Sequence, residues 1–272
     1  MDRDTTIAAV EEQVIWWIKN RTKKIKAKEH ASMAVNPFLA PLLCALHGLT
    51  NAKELAEFVT AGHFYIGDGT GFGKLIDEKI LPNVFGTQKL GKAFRKQQAM
   101  TDSDFDDIDH VVIKDGKRYL LSQKAGKWTI QLGQAVKLNN HFESLIKKRN
   151  AGTIVFDKII VGVFYGHADD LTDKYRLVRG ISLGAEHNVV NLADDVYVYA
   201  GREFWSWLGG NVETQQWVMH GIFRAIERTR VDEAAAQQAT LELESELTGM
   251  LGQVGDIRSE TGWIEFIEKV NR

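Results

Sequence analysis

Apolar residues recur at helical spacing near the start of the chain, at Ile7, Val10, Val14, Trp17 and Ile18, and predict a long helix ending near Ile25. Asn36-Pro37-Phe38 and Pro41 punctuate the pattern, and a second helical stretch runs from about Lys53 to Val59. The run GDGTGFG, Gly67 to Gly73, reads as a flexible loop able to lie near a backbone or a DNA phosphate, because it lacks the Gly-Lys-Ser/Thr ending of a nucleotide-binding phosphate loop. A short helix, Lys74 to Leu81, follows and is closed by Pro82. The period then changes. Ile108 to Ile113, Arg118 to Lys124, Lys158 to Tyr165 and Val196 to Ala200 read as strands. An amphipathic helix from about Thr129 to Ile146 lies between the second and the third. The nearly unbroken apolar run 159 to 165 marks a central strand covered on both faces. DKYRLVRG, 173 to 180, reads as a further strand, and the pattern after Trp205 is helical. Phe204, Trp205 and Trp207 read as core. The order of elements makes the fold class α/β.

Composition narrows the setting. The 272 residues, 44% hydrophobic and 26% charged, allow one large or two modest domains with a sizeable core. The charged N-terminus and the absence of a long apolar run predict a cytoplasmic protein with no membrane partner. The single Cys44 excludes an internal disulfide and reads as a small buried hydrophobe. The net charge of −2 hides a sorted distribution: residues 111 to 149 hold nine Lys or Arg against two acids, whereas 231 to 272 hold nine acids against three bases. Such sorting fits a basic cleft for a polyanion with acidic surface elsewhere.

Asp115-Gly116 between the first two strands is a strong two-residue hairpin signal. It pairs Lys114 with Lys117, Val111 with Leu120, and Asp109 with Ser122. Asp109, Ser122 and Lys124 then share one face at the open end of the hairpin, within the roughly 5 to 8 Å spanned by opposed and diagonal pairs. A lysine at the inner end of a strand needs an anion beside it, and Asp109 supplies one. Asp107, two residues back on the same face, is its rival.

An Asp at the end of one strand and an acid-x-Lys on the next resembles the PD-D/E-x-K nucleases. In that chemistry carboxylates hold Mg²⁺, and the lysine orients or deprotonates the attacking water. Ser122 stands where the acid would be. The Gln123 backbone carbonyl is a candidate metal ligand with Asp109, and Glu78, on the helix after the glycine run, is placed to supply the missing carboxylate, with Asp77 as competitor. Glu143 lies too far along its helix, roughly 21 Å from the corner.

Longer blocks carry a closer resemblance. TGFGKLIDEKILPNVFG (70 to 86), IDHVV with LLSQKAGKWTIQL (108 to 132), VGVFYG with LTDKYRLVRGI (161 to 181) and VYAGREFWSWL (198 to 208) are similar to the type II restriction endonuclease family that cuts the interrupted palindrome RGGNCCY. The resemblance, which includes AVNPFLAP near the N-terminus, covers most of the chain and weakens after about residue 225. It includes the Ser-x-Lys. It implies a PD-D/E-x-K core, a mixed central sheet flanked by helices, with an added helical dimerisation region. The regions are then 1–60, N-terminal and dimerising; 61–210, catalytic; and 211–272, C-terminal and dimerising. It also implies a Mg²⁺-dependent homodimer that hydrolyses both strands of DNA, leaving 5′-phosphate and 3′-hydroxyl ends, with Asp109, Ser122 and Lys124 catalytic. A host would need a cognate methyltransferase.

Lys127 at the corner is expected to meet a backbone phosphate. Arg176 and Arg179, with Lys174, suit the guanine edges of a GG half-site, and His187 and Asn188 are candidates of the same kind. Two other readings compete. Asp109-His110 with Asn139, Asn140 and His141 imitates an HNH nuclease in which His110 is the general base, although His110 faces away from Asp109 in this register. Alternatively Ser122 marks a decayed site in a DNA-binding protein that does not cut.

Overall fold

A computed structural model describes residues 1–27, 35–97, 100, 102–126, 129–181 and 187–270. Helices α1 (Arg3–Lys26), α2 (Ala40–His47) and α3 (Ala52–Leu75) come first, and α3 continues through a π-helical turn, Ile76–Ile80, into α4 (Leu81–Phe85). Next come β1 (Gln88–Lys89), α5 (Lys92–Gln97), β2 (His110–Lys114), β3 (Lys117–Lys124), α6 (Leu132–Asn150), β4 (Lys158–Val163), α7 (Asp173–Val178) and β5 (Val196–Ala200). Helices α8 (Arg202–Gly209), α9 (Thr214–Arg228), α10 (Arg230–Leu251) and α11 (Glu260–Val270) follow. Among the described residues no helix is long and apolar enough to cross a membrane.

The chain divides into two compact units, one of Met1–Gln13 with Gly73–Arg224 and the other of Val14–Phe72 with Ala225–Arg272. Most of the two terminal helical regions therefore belongs to one unit, while the first residues and most of α9 belong with the sheet. The boundaries fall inside α1, α3 and α9, where helical periodicity runs across them and no linker composition marks them.

The first unit is mixed α/β. Its five strands lie in the order β1-β2-β3-β4-β5. The first two pairings are antiparallel and the last two parallel. The hairpin register is the expected one, Lys114 opposite Lys117 and Val111 opposite Leu120. Asp115 and Gly116 both take positive φ, +50° and +73°, as a primed hairpin turn demands. Side chains alternate across the sheet. Val111, Leu120, Ile159, Val161, Val163 and Val196 pack with Leu138, Phe142 and Leu145 of α6. On the other face Gly162 makes room for Phe204: a Cβ there would lie 2.3 Å from its ring. Phe204 and Trp205 are buried, as expected of core, whereas Trp207 is half-buried.

The second unit has its own core, in which Cys44, Leu55 and Ala56 meet Leu247, Leu251, Trp263 and Phe266. Cys44 is buried there, as its apolar neighbours in the sequence predict.

Three expectations are corrected. Pro82 does not close a helix: it lies in the first turn of α4, where its missing N–H costs least, and the helix runs on to Phe85. Gly67 to Gly73 is not a loop but part of α3. The glycines flatten the helix against α1: a Cβ on Gly71 would sit 3.4 Å from the Trp17 indole nitrogen, and one on Gly67 3.2 Å from the Arg21 guanidinium. Arg21 also pairs with Asp68 at 2.5 Å. Packing across this face offsets the propensity of about 1 kcal/mol that each glycine costs a helix. DKYRLVRG is likewise not a strand. Asp173–Val178 form α7 with Tyr175, Leu177 and Val178 buried, and an acid in the first turn favours the helix N-terminus. Gly180 ends it at φ +68°, where a Cβ would strike the Val190 carbonyl.

Candidate active site

Asp109 stands just before β2, and its backbone is held on both sides. Its N–H donates to the Leu121 carbonyl at 2.8 Å and its carbonyl accepts from Leu90 N–H at 2.8 Å. These bonds fix the side chain at the mouth of the hairpin, where Oδ2 accepts from the Gln123 N–H at 2.6 Å. Ser122, fully buried, and Lys124 project from β3 on the same face as Asp109, and the Lys124 ammonium donates to Ser122 Oγ at 3.0 Å. The three residues brought together by register arithmetic are therefore together in the structure. Burial pushes the Asp109 pKa up; Lys124 and the Gln123 N–H pull it down without cancelling that effect, and the charge of Asp77 adds to the rise. Ionised Asp109 is a carboxylate short of positive charge.

Asp77 comes from the π-helical turn, a rare insertion that changes which side chains the following helix presents. It meets buried His110, whose Nε2 lies 2.8 Å from Asp77 Oδ1 and whose Nδ1 lies 2.9 Å from Thr87 Oγ1. An ionised carboxylate only accepts, so Nε2 carries the hydrogen. Lys89 of β1 also donates to Asp77. Burial opposes ionisation of Asp77, yet the hydrogen bonds from His110 and Lys89 outweigh it and hold the carboxyl below its ordinary range. Glu78, expected as the additional carboxylate, has half of its side chain exposed and pairs with Lys89 at 3.7 Å. The acid of this turn whose charge reaches Asp109 is Asp77.

The other candidates separate. Asp107, the rival of Asp109, is tied to α6 through His141 at 2.6 Å and Lys137 at 3.7 Å. Glu143 pairs with Lys147 along the same helix. The Arg179 guanidinium donates to the Val196 and Ala193 carbonyls at 2.9 and 3.2 Å and braces the approach to β5. Arg176 is exposed, and it lines an open cavity of about 450 Å³ with Arg179, Asp169, Thr172 and Ile181. Lys174 and His187 are half-buried and Asn188 is exposed. Lys127 lies outside the described residues. The HNH set is not assembled: His110 is buried with both ring nitrogens engaged, on the sheet face opposite Asp109. Asn139 is buried and bonded to the Val178 and Val190 backbone.

The oxygen donors here are hard ligands of the kind that suit Mg²⁺ rather than a soft metal. Among the described residues no three His, Cys, Asp or Glu side chains converge as a metal cluster. Mg²⁺ does not need one, since it binds through one or two carboxylates, with substrate phosphate and water completing the shell. Asp109 provides one carboxylate on the Lys124 face, beside the backbone of Gln123, whose N–H it accepts at 2.6 Å; Asp77 is taken up by His110 and Lys89. Asp109 and the Gln123 backbone carbonyl are oxygen donors of the kind such an ion takes. No protein-family model matches this chain, and no curated protein is significantly similar to it.

Proposed function

We propose that this protein is a type II site-specific deoxyribonuclease that hydrolyses both strands of DNA at an RGGNCCY-like palindrome. On this reading the first unit is a PD-D/E-x-K core, Mg²⁺ is the cofactor, and the ends carry 5′-phosphates. The chain works as a homodimer through its terminal helical regions, beside a cognate methyltransferase in the host. The observation that carries the reading is the meeting of Asp109, Ser122 and Lys124 on one face at the open end of a hairpin, with the Asp109 carboxyl held above its ordinary pKa by burial.

Each residue has a part. Asp109, with the Gln123 backbone carbonyl, would hold Mg²⁺, which would act as a Lewis acid on the scissile phosphate; Asp77, held by His110 and Lys89, is left to the fold. Lys124, steadied by Ser122 Oγ, orients the attacking water and offsets negative charge developing on the phosphoryl oxygens. Water oxygen bonds to phosphorus, and the bond from phosphorus to the 3′-oxygen breaks. Ser122 takes the place of the family acid without adding a negative charge, so Lys124 keeps a neutral hydrogen-bond partner. Arg176 and Lys174 on α7 are the described cations offered to the duplex, with Asn188 and His187 in the next segment. Arg179 lines the same cavity as Arg176 while bracing the Val196 and Ala193 carbonyls.

The test is digestion of a sequenced plasmid with Mg²⁺ and with EDTA, followed by sequencing of the ends. The expected outcome is discrete Mg²⁺-dependent cuts within RGGNCCY or a subset of it, lost in Lys124→Ala. A shifted DNA band without cutting would instead favour the non-cleaving DNA-binding protein.

A further inference from the structure

The segment leaving β3 is held by more than its own turn. Gly126, two residues beyond Lys124, is buried, and its carbonyl accepts the Tyr175 hydroxyl of α7 at 2.7 Å. Thr129 adds a local clasp: its N–H donates to the Gly126 carbonyl at 3.2 Å, and its hydroxyl bonds the same oxygen while accepting from the Gly126 N–H at 3.0 Å. Tyr165, from just after β4, closes the other side so tightly that a Cβ on Gly126 would lie 2.3 Å from its hydroxyl oxygen. Three separate pieces of chain therefore converge on one peptide next to Lys124.

Tyr175 differs from the rest in where it comes from. It is 2% exposed and forty-nine residues from Gly126 in sequence, on the helix that lines the open cavity with Arg176 and an edge of Tyr175 itself. Burial pushes its pKa up, with the hydrogen bond to Thr129 opposing, so the hydroxyl remains a donor well into alkaline solution. A turn closed only by Thr129 could pivot as a body about the end of β3. The bond from α7 removes that freedom, because α7 is itself packed into the core through Tyr175, Leu177 and Val178.

We propose that Tyr175 is a positioning residue for Lys124: by tying the Gly126 carbonyl to α7 it fixes the exit of β3, and with it the direction in which the Lys124 ammonium is presented beside Asp109. This rests on the nuclease reading above for its consequence, but the tether itself concerns only the protein.

Tyr175→Phe removes the hydroxyl and little else. In single-turnover reactions with enzyme in excess and Mg²⁺ present, the cleavage rate constant should fall by about 10- to 100-fold, the scale set by small misplacements of a reacting group. Affinity for the same duplex in Ca²⁺ should be unchanged. A parallel measurement needs no cleavage: the rate at which N-hydroxysuccinimidyl acetate acylates Lys124, relative to Lys117 in the same hairpin, read by peptide mass spectrometry. That ratio should change in the variant. Thr129→Val, which takes the other hydroxyl from Gly126, is read in the same way should Tyr175→Phe not fold. An unchanged cleavage rate with an unchanged labelling ratio overturns the proposal. So does a loss of rate matched by an equal loss of affinity, which would put Tyr175 in DNA binding. If the wild-type protein cuts nothing, the nuclease reading fails and the labelling ratio alone decides the tether.

Discussion

Ionised Asp109 costs the fold stability at neutral pH, because its surroundings hold its pKa above that of the unfolded chain. For a carboxyl raised in this way the penalty is absent below the unfolded pKa of about 3.9 and grows as pH rises through the folded value. Asp109→Asn should therefore melt at a higher temperature than wild type at pH 7, with the gain shrinking as pH falls toward the carboxylate range, while Mg²⁺-dependent cleavage is lost. A lower melting temperature at pH 7 would show that the Lys124 attraction outweighs burial. Asp77 has the opposite sign: its lowered pKa contributes stability above the unfolded value, which is lost as pH falls through the folded one. Two acids in one electrostatic neighbourhood are thus set apart, one paired and structural, the other under-compensated and suited to take up a cation. Sequence could find Asp109, Ser122 and Lys124 because a period of two and a two-residue turn fix register arithmetically. It did not disclose that Asp77 pairs with His110 and Lys89, because a π-helical turn shifts the phase that helical counting assumes.

Elements whose cause is local were readable, and those whose cause is distant were not. The hairpin carries its turn in Asp115-Gly116, and β5 matches its predicted limits at both ends. The glycine run reads as a loop because the reason for its helix lies on α1, in Trp17 and Arg21. α7 reads as a strand because burial of both Tyr175 and Leu177 imitates alternation; only Val178 beside them discloses the helical face. β1, two residues long, is too short to leave a period. Gly162 makes the point in energetic terms. Its strand looks like any apolar run, yet a Cβ would be 2.3 Å from Phe204 and 3.0 Å from Leu121. Gly162→Ala should destabilise the protein by about 1–3 kcal/mol through overpacking, measured as a lower urea midpoint, and Gly162→Ala combined with Phe204→Leu should recover part of the loss. A neutral Gly162→Ala would mean that α8 yields at no cost.

For the whole molecule, the second unit presents large apolar side chains to solvent: Leu42, Leu46, Tyr65 and Ile66 are 58%, 78%, 83% and 71% exposed. Large apolar side chains left exposed are candidates for an interface, and on the proposed reading a palindromic target asks for a two-fold partner. Sedimentation should find a dimer, and Leu42→Lys with Leu46→Lys should return monomer. Wild-type protein that sediments as a monomer with and without DNA would remove the dimer from the reading. The same unit is built from two distant stretches of chain, and this has a consequence during synthesis. Leu55 and Ala56 have their core partners at Leu247 and beyond. At about 5–20 residues per second, the ribosome takes roughly 10–40 s to deliver those partners, and the strands of the other unit all emerge in that interval. The nascent chain completes its sheet while the second core is still open. On the proposed reading, a nuclease that cuts both strands only when paired would then be kept single until almost all of its chain had been made.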